Sequence, residues 1–126
     1  MTPHVLVVDD DTLFAEAVTA TLQQDGRLDV VGSAANGQEA VQLALELRPD
    51  VVLMDIHMPV LDGFETTGRL RRLLPSTRVV LVTASSSADD RKRATQAGAF
   101  AFLTKDLGSE ALVEAALAAA LEAEAR

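Results

Sequence analysis

Cysteine is absent from the 126-residue chain. That excludes disulfides and thiolate metal sites, and makes a reducing cytoplasm the expected compartment. Long apolar runs are also missing. No stretch approaches the ~18 residues needed to cross a membrane. The start, Met-Thr-Pro-His, has no basic segment, and the apolar run Val5 to Val8 is too short for a secretory signal. Basic charge is in short supply: 11 Lys and Arg against 19 Asp and Glu, a net charge of −8. Non-specific nucleic-acid binding draws on basic side chains that neutralise phosphates, so this domain is expected to repel nucleic acid. The acid excess remains compatible with metal binding, solubility or a basic protein partner. An apolar fraction of 48% excludes disorder, and the length suits one domain with a real core.

What is present is a regular alternation. Val5–Val8 is a short, fully apolar run of the kind buried on both faces of a parallel sheet. A helix is expected from Thr12 to Gln24, with Phe14, Val18 and Leu22 recurring every four positions and Asp25-Gly26 closing it. The pattern then repeats. Strands are expected at Leu28–Val31, Val51–Met54, Val79–Val82 and Phe100–Leu103, with Phe100 in the core. Helices are expected at Gly37–Leu47, Phe64–Leu73, Ser87–Ala97 and Ser109–Glu122. The last helix reads with an inner stripe of Leu112, Val113, Ala116, Leu117, Ala120 and Leu121. Its Ala-rich end, from Ala115, is compatible with an ordinary amphipathic helix or with the start of a longer connector. Five β-α units without a linker imply α/β architecture, helices on both faces of a parallel sheet. Right-handed crossovers favour the flavodoxin-like doubly wound (βα)5 arrangement of order 2-1-3-4-5, with the ligand crevice at the carboxyl ends of strands 1 and 3.

The polar residues fall at those ends. Strand 1 runs into Asp9, Asp10 and Asp11, strand 3 into Asp55, strand 4 into Thr83 and strand 5 into Lys105. At least three carboxylates converge there. They repel one another and favour a cation. An oxygen-only donor set suits Mg²⁺. A lysine holds phosphate as a point charge, a threonine hydroxyl donates to phosphate oxygen, and an aspartate can serve as nucleophile. Phosphoryl transfer asks little more than positioning and charge neutralisation. Asp11, directly before a helix, reads as an N-cap; His4 reads as a surface residue. Arg91-Lys92-Arg93, beside Asp89 and Asp90, reads as a solvated helix face.

The segments VLVVDDD, VVLMDIHMPVLDGFE, VVLVTAS and AFAFLTKD occur in this order along nearly the whole chain. In them the sequence resembles the receiver domains of two-component response regulators. The resemblance implies a single receiver domain over residues 1–126, with no output domain among them. It implies Asp55 as phosphoacceptor and Asp10 as a direct Mg²⁺ ligand assisted by Asp9. The backbone carbonyl of His57 completes the protein ligands, its side chain lying at the rim. Thr83 and Lys105 contact the phosphoryl oxygens, and Phe102 sits at the aromatic switch position. The implied partner is a sensor histidine kinase or phosphotransfer protein. A homodimer through the fourth helix, fifth strand and fifth helix also follows from the family. The domain is then a switch that promotes only its own phosphorylation and dephosphorylation. Two departures stand out. Asp106 follows Lys105 where many receivers have proline, so a trans peptide is expected. The switch residue is Phe, with no hydroxyl. Thr-Lys-Asp together with Phe resembles receivers that precede LuxR-type helix-turn-helix domains.

Two other chemistries use parts of this pattern. A haloacid-dehalogenase-type enzyme would make Asp9 the nucleophile of a DxDxT motif, but Leu13 stands where its threonine belongs. A flavin carrier of the same strand order needs a first loop of Thr, Ser and Gly, and Asp9-Asp10-Asp11 would repel the flavin phosphate.

Overall fold

The computed structural model describes residues 2–84 and 86–124, the last of these by its backbone. Ser85, within the third matched segment, and the tail residues Ala125 and Arg126 lie outside the described residues. The strands are β1 (His4–Val8), β2 (Asp29–Ala34), β3 (Val51–Asp55), β4 (Arg78–Thr83) and β5 (Ala101–Thr104). The helices are α1 (Thr12–Asp25), α2 (Gly37–Leu47), α3 (Gly63–Leu73), α4 (Ala88–Ala97) and α5 (Ser109–Glu124). A short 3₁₀ turn, Lys105–Leu107, precedes α5. All pairings are parallel and the order is β2-β1-β3-β4-β5, as the alternation predicts.

The period of two explains the layering. Val5 and Val7, Val51 and Leu53, Val80 and Val82 face α1 and α5, meeting Val18, Leu22, Leu112, Val113 and Ala116. Leu6 and Val8, Val52 and Met54, Val79 and Leu81 face α2, α3 and α4, meeting Ala40, Ala44, Phe64, Leu70 and Ala94. Continuous apolar strands are therefore needed, because each successive residue enters a different core. Each fully buried Leu, such as Leu6 or Leu22, contributes about 1.5–3 kcal/mol by leaving water.

The helix ends follow their local chemistry. Asp11 caps α1, its side chain accepting from the amides of Leu13 and Phe14. Asp62 caps α3 through the Glu65 amide. Ser87 and Asp90 form a reciprocal capping box at α4. No helix among the described residues is long and apolar enough to cross a membrane.

Three expectations need correction. Strand β2 runs Asp29–Ala34 rather than Leu28–Val31; its ladder with β1 continues past Gly32 to pair Val8 with Ala34. Strand β5 begins at Ala101, and Phe100 is exposed rather than core. Phe100 serves by its backbone, donating to the Val79 carbonyl at 2.8 Å just before the ladder starts. In α5 the buried positions are Leu112, Val113, Ala116, Ala119 and Ala120, spaced by three and four residues. Leu121 falls off that stripe and is 67% exposed. No described peptide bond is cis, Lys105–Asp106 included.

Candidate functional site

Strand β1 pairs with β3 at Val8↔Met54, so the residues that follow both strands emerge side by side. Asp9 extends β1 past its end: its amide donates to the Ala34 carbonyl at 3.0 Å. Its side chain is buried. Oδ1 accepts from the Asp11 amide at 2.8 Å, and Oδ2 lies 2.9 Å from Lys105 Nζ. That approach is off the direction of a hydrogen bond, so Oδ2 is held as an ion pair and remains an unsatisfied acceptor. Asp10 is exposed.

Asp55 closes β3, opposite Val82 in the β4 register, and is buried. The Ile56 amide carries the ladder one step further, donating to the Val82 carbonyl at 3.1 Å. The chain then turns back at Gly63, whose amide donates to the Ile56 carbonyl at 3.0 Å. A Cβ on Gly63 would stand 2.6 Å from the Asp55 carbonyl oxygen, which is why glycine occupies this place. Between them, Val60 adopts φ 72° with its side chain 79% exposed, a strained conformation for a β-branched residue.

Carboxylate oxygens of Asp9, Asp10 and Asp55 all lie within 4.8 Å of one another. Burial raises the Asp55 pKa above its ordinary 3.8, and the Asp9 and Asp10 charges push it the same way. Lys105 and a hydrogen bond from the His57 amide only partly oppose them. Thr83, fully buried, ends β4; it pairs in register with Thr104, and Lys105 follows. The structure thus brings Asp9, Asp10, Asp55 and Lys105 together and places Thr83 at the adjoining strand end. The His57 side chain is exposed, at the rim. Phe102 is half-buried on β5 against the α2–α3–α4 core.

Three acids and one ammonium leave the pocket negative, and a buried carboxylate oxygen lacks a hydrogen-bond donor. Hard divalent cations fit such an oxygen donor set. Among the described residues the cluster itself consists of carboxylates alone, with no histidine or cysteine in it.

Sequence reading passed over three residues around this turn. Asp62 carries a legible signal, an acidic N-cap three residues before Glu65. Val60 carries none, since its strain is visible only in the backbone. Arg93 was read with Arg91 and Lys92 as a solvated face. All three are exposed, as that reading expects; in addition Arg93 lies over the Phe64 ring and Arg91 over the Phe102 ring.

A parallel five-stranded sheet with an acid cluster at the β1 and β3 ends defines a doubly wound α/β domain built around an acidic crevice. The family model for the response regulator receiver domain matches residues 5–117. The chain belongs to that family, the phosphorylated switch domains of two-component signalling. It is 44% identical over 111 residues to the response regulator GacA of Pseudomonas aeruginosa, covering 88% of this chain and 52% of that protein. The chain therefore spans about half the length of that curated relative. Among solved structures it is similar to the signal receiver domain of the response regulator NarL from Mycobacterium tuberculosis. There the TM-score is 0.91 at 38% identity, over 95% of this chain and 97% of that one. It is also similar to a LuxR-family two-component response regulator from Aurantimonas, at TM-score 0.90 and 29% identity, covering 96% and 86%.

Proposed function

We propose that Asp55 is the phosphoacceptor of this receiver and that Asp9, Asp10, Asp55 and the His57 carbonyl hold Mg²⁺ beside it. The observation that carries this reading is the meeting of three carboxylates within 4.8 Å around a buried Asp55, with Lys105 on its flank. An Asp55 carboxylate oxygen attacks the phosphorus of a phosphohistidine on a sensor kinase or phosphotransfer protein. The new bond is an acyl-phosphate P–O bond. The P–N bond breaks, and the imidazole nitrogen leaves with its electron pair and takes up a proton. Mg²⁺, when bound, supplies charge neutralisation for the carboxylates and the incoming phosphoryl oxygens. Lys105 turns from Asp9 to a phosphoryl oxygen, and Thr83 donates its hydroxyl to another. Phe102 then turns inward, reshaping the α4–β5–α5 surface, because phosphorylation favours one of two states. The domain catalyses nothing beyond its own gain and loss of phosphate.

The LuxR-family likeness supports control of an output domain in a longer protein, which this reading takes to bind DNA. In this reading the signalling form is a homodimer through α4–β5–α5. DNA contact then belongs to that output domain, since this one carries a net charge of −8. Lack of cysteine and of an apolar span supports a cytoplasmic site of action. The reading is tested with acetyl phosphate and Mg²⁺, followed by intact-mass measurement. The parent protein gains one phosphoryl group and Asp55→Asn gains none; undiminished labelling of the variant overturns it.

A further inference from the structure

Helix α4 is thinly seated by apolar packing. Ala94 is its buried residue, and apart from the terminal Ala88 and Ala97 the rest of the helix is polar. Its flanks are covered by two guanidinium groups instead. Arg91 Cζ lies 5.6 Å from the centroid of Phe102 on β5. On the other side, Arg93 Cζ lies 4.3 Å from the centroid of Phe64, in the first turn of α3. Arg93 Nη2 also approaches Asp62 Oδ2 at 3.9 Å. Asp62 and Phe64 flank Gly63, and Gly63 is packed without slack against the Asp55–Ile56 backbone. Arg93 therefore grips, from the output helix, the two residues on either side of the glycine that braces the acceptor turn.

We propose that Arg93 is a positioning residue that ties α4 to the acceptor turn, holding the helix in the register seen here and setting how readily Asp55 takes a phosphoryl group. The proposal rests on Asp55 being the acceptor. A contact made in one state and lost in the other biases the equilibrium between them by its own strength, and the bias is felt equally at both ends. Arg93 is half exposed, and cation–π contacts at exposed sites correspond to about a two- to fivefold change in an equilibrium constant. Removing the grip should free α4 and favour the phosphorylated arrangement by that factor. Demonstrated coupling, rather than proximity, is the evidence required.

The experiment is calorimetric titration of the whole protein with beryllofluoride, a phosphoryl analogue, in Mg²⁺, accompanied by amide NMR. Arg93→Met keeps the aliphatic stem and loses the charge. It should bind the analogue about two- to fivefold more tightly than the parent. The amide resonances of its α4 should move, before any analogue is added, toward their analogue-bound positions. Arg93→Lys, which retains a cation over Phe64, should stay near the parent. Asp62→Asn, which still caps α3, should shift in the same direction as Arg93→Met by a smaller factor. Equal or weaker binding by Arg93→Met, with α4 resonances unmoved, overturns the tie while leaving Asp55 as acceptor. Failure of the parent itself to bind beryllofluoride overturns both.

Discussion

The Lys105 ammonium stands 2.9 Å from Asp9 Oδ2 and 4.1 Å from the centroid of the Phe14 ring. One cation thus compensates a buried carboxylate and at the same time lies over the Phe14 ring of α1. Removing it would leave Asp9 buried and uncompensated, the costly half of any broken ion pair. Lys105→Met should therefore lose about 2 kcal/mol of stability at neutral pH in the presence of a chelator. Mg²⁺ should recover much of the loss, because it takes over the compensation of Asp9. Urea unfolding with and without Mg²⁺ measures both quantities. Parent-like stability in chelator would mean that the ion pair contributes nothing.

On the proposed reading Mg²⁺ binds the folded acid cluster and has no comparable site in the unfolded chain. At a hundredfold excess over its dissociation constant it should stabilise the parent by about 2.7 kcal/mol. Asp10→Asn removes one of the repelling charges. It should melt higher than the parent in chelator and respond less to Mg²⁺. Thermal melts at constant ionic strength separate site binding from general screening. Equal Mg²⁺ responses in the two proteins would remove Asp10 from the ligand set.

Asp55 has a folded-state pKa above 3.8, from burial first and then from Asp9 and Asp10. Between 3.8 and the raised value the folded state binds more protons than the unfolded one. The contribution of Asp55 is therefore fully present below 3.8 and is lost as the pH rises through the folded value. Asp55→Asn does not titrate. In chelator its melting advantage over the parent should be small in acid, grow with pH across that window and then level off. A pH-independent difference would show that Asp55 is not electrostatically strained.

Val60 adopts φ 72° and exposes its side chain, so replacing it forfeits no core packing. Asparagine tolerates this backbone far better. Val60→Asn should gain about 1 kcal/mol. Equilibrium unfolding checks this; a loss of stability would mean that the Val60 side chain makes contacts that outweigh the strain.

The sequence makes the sheet legible because its strands are buried on both faces, so apolar runs mark them directly. The strand-end acids are legible for the same reason: Asp9 and Asp55 interrupt runs that otherwise contain no charge. β2 was misjudged because it is an edge strand with partly exposed residues, where burial no longer dictates residue type and Gly32 reads as a break. Phe100 departs from expectation because hydrophobicity alone does not mark where the β4–β5 ladder begins. The Lys105–Asp9 pair and the Arg93–Phe64 contact join residues far apart in the chain. Neither spacing nor periodicity encodes such partners, and only the packing of α1, α3 and α4 around the sheet reveals them.

Acceptance of the phosphoryl group by Asp55 is open to direct chemical test. Acetyl phosphate and Mg²⁺ form the acyl phosphate, borohydride reduces an aspartyl phosphate to homoserine, and peptide mass spectrometry then locates the reduced residue. Homoserine is expected at position 55 and at no other aspartate. Homoserine at position 9 with Asp55 unmodified would contradict acceptance by Asp55 and make Asp9 the nucleophile.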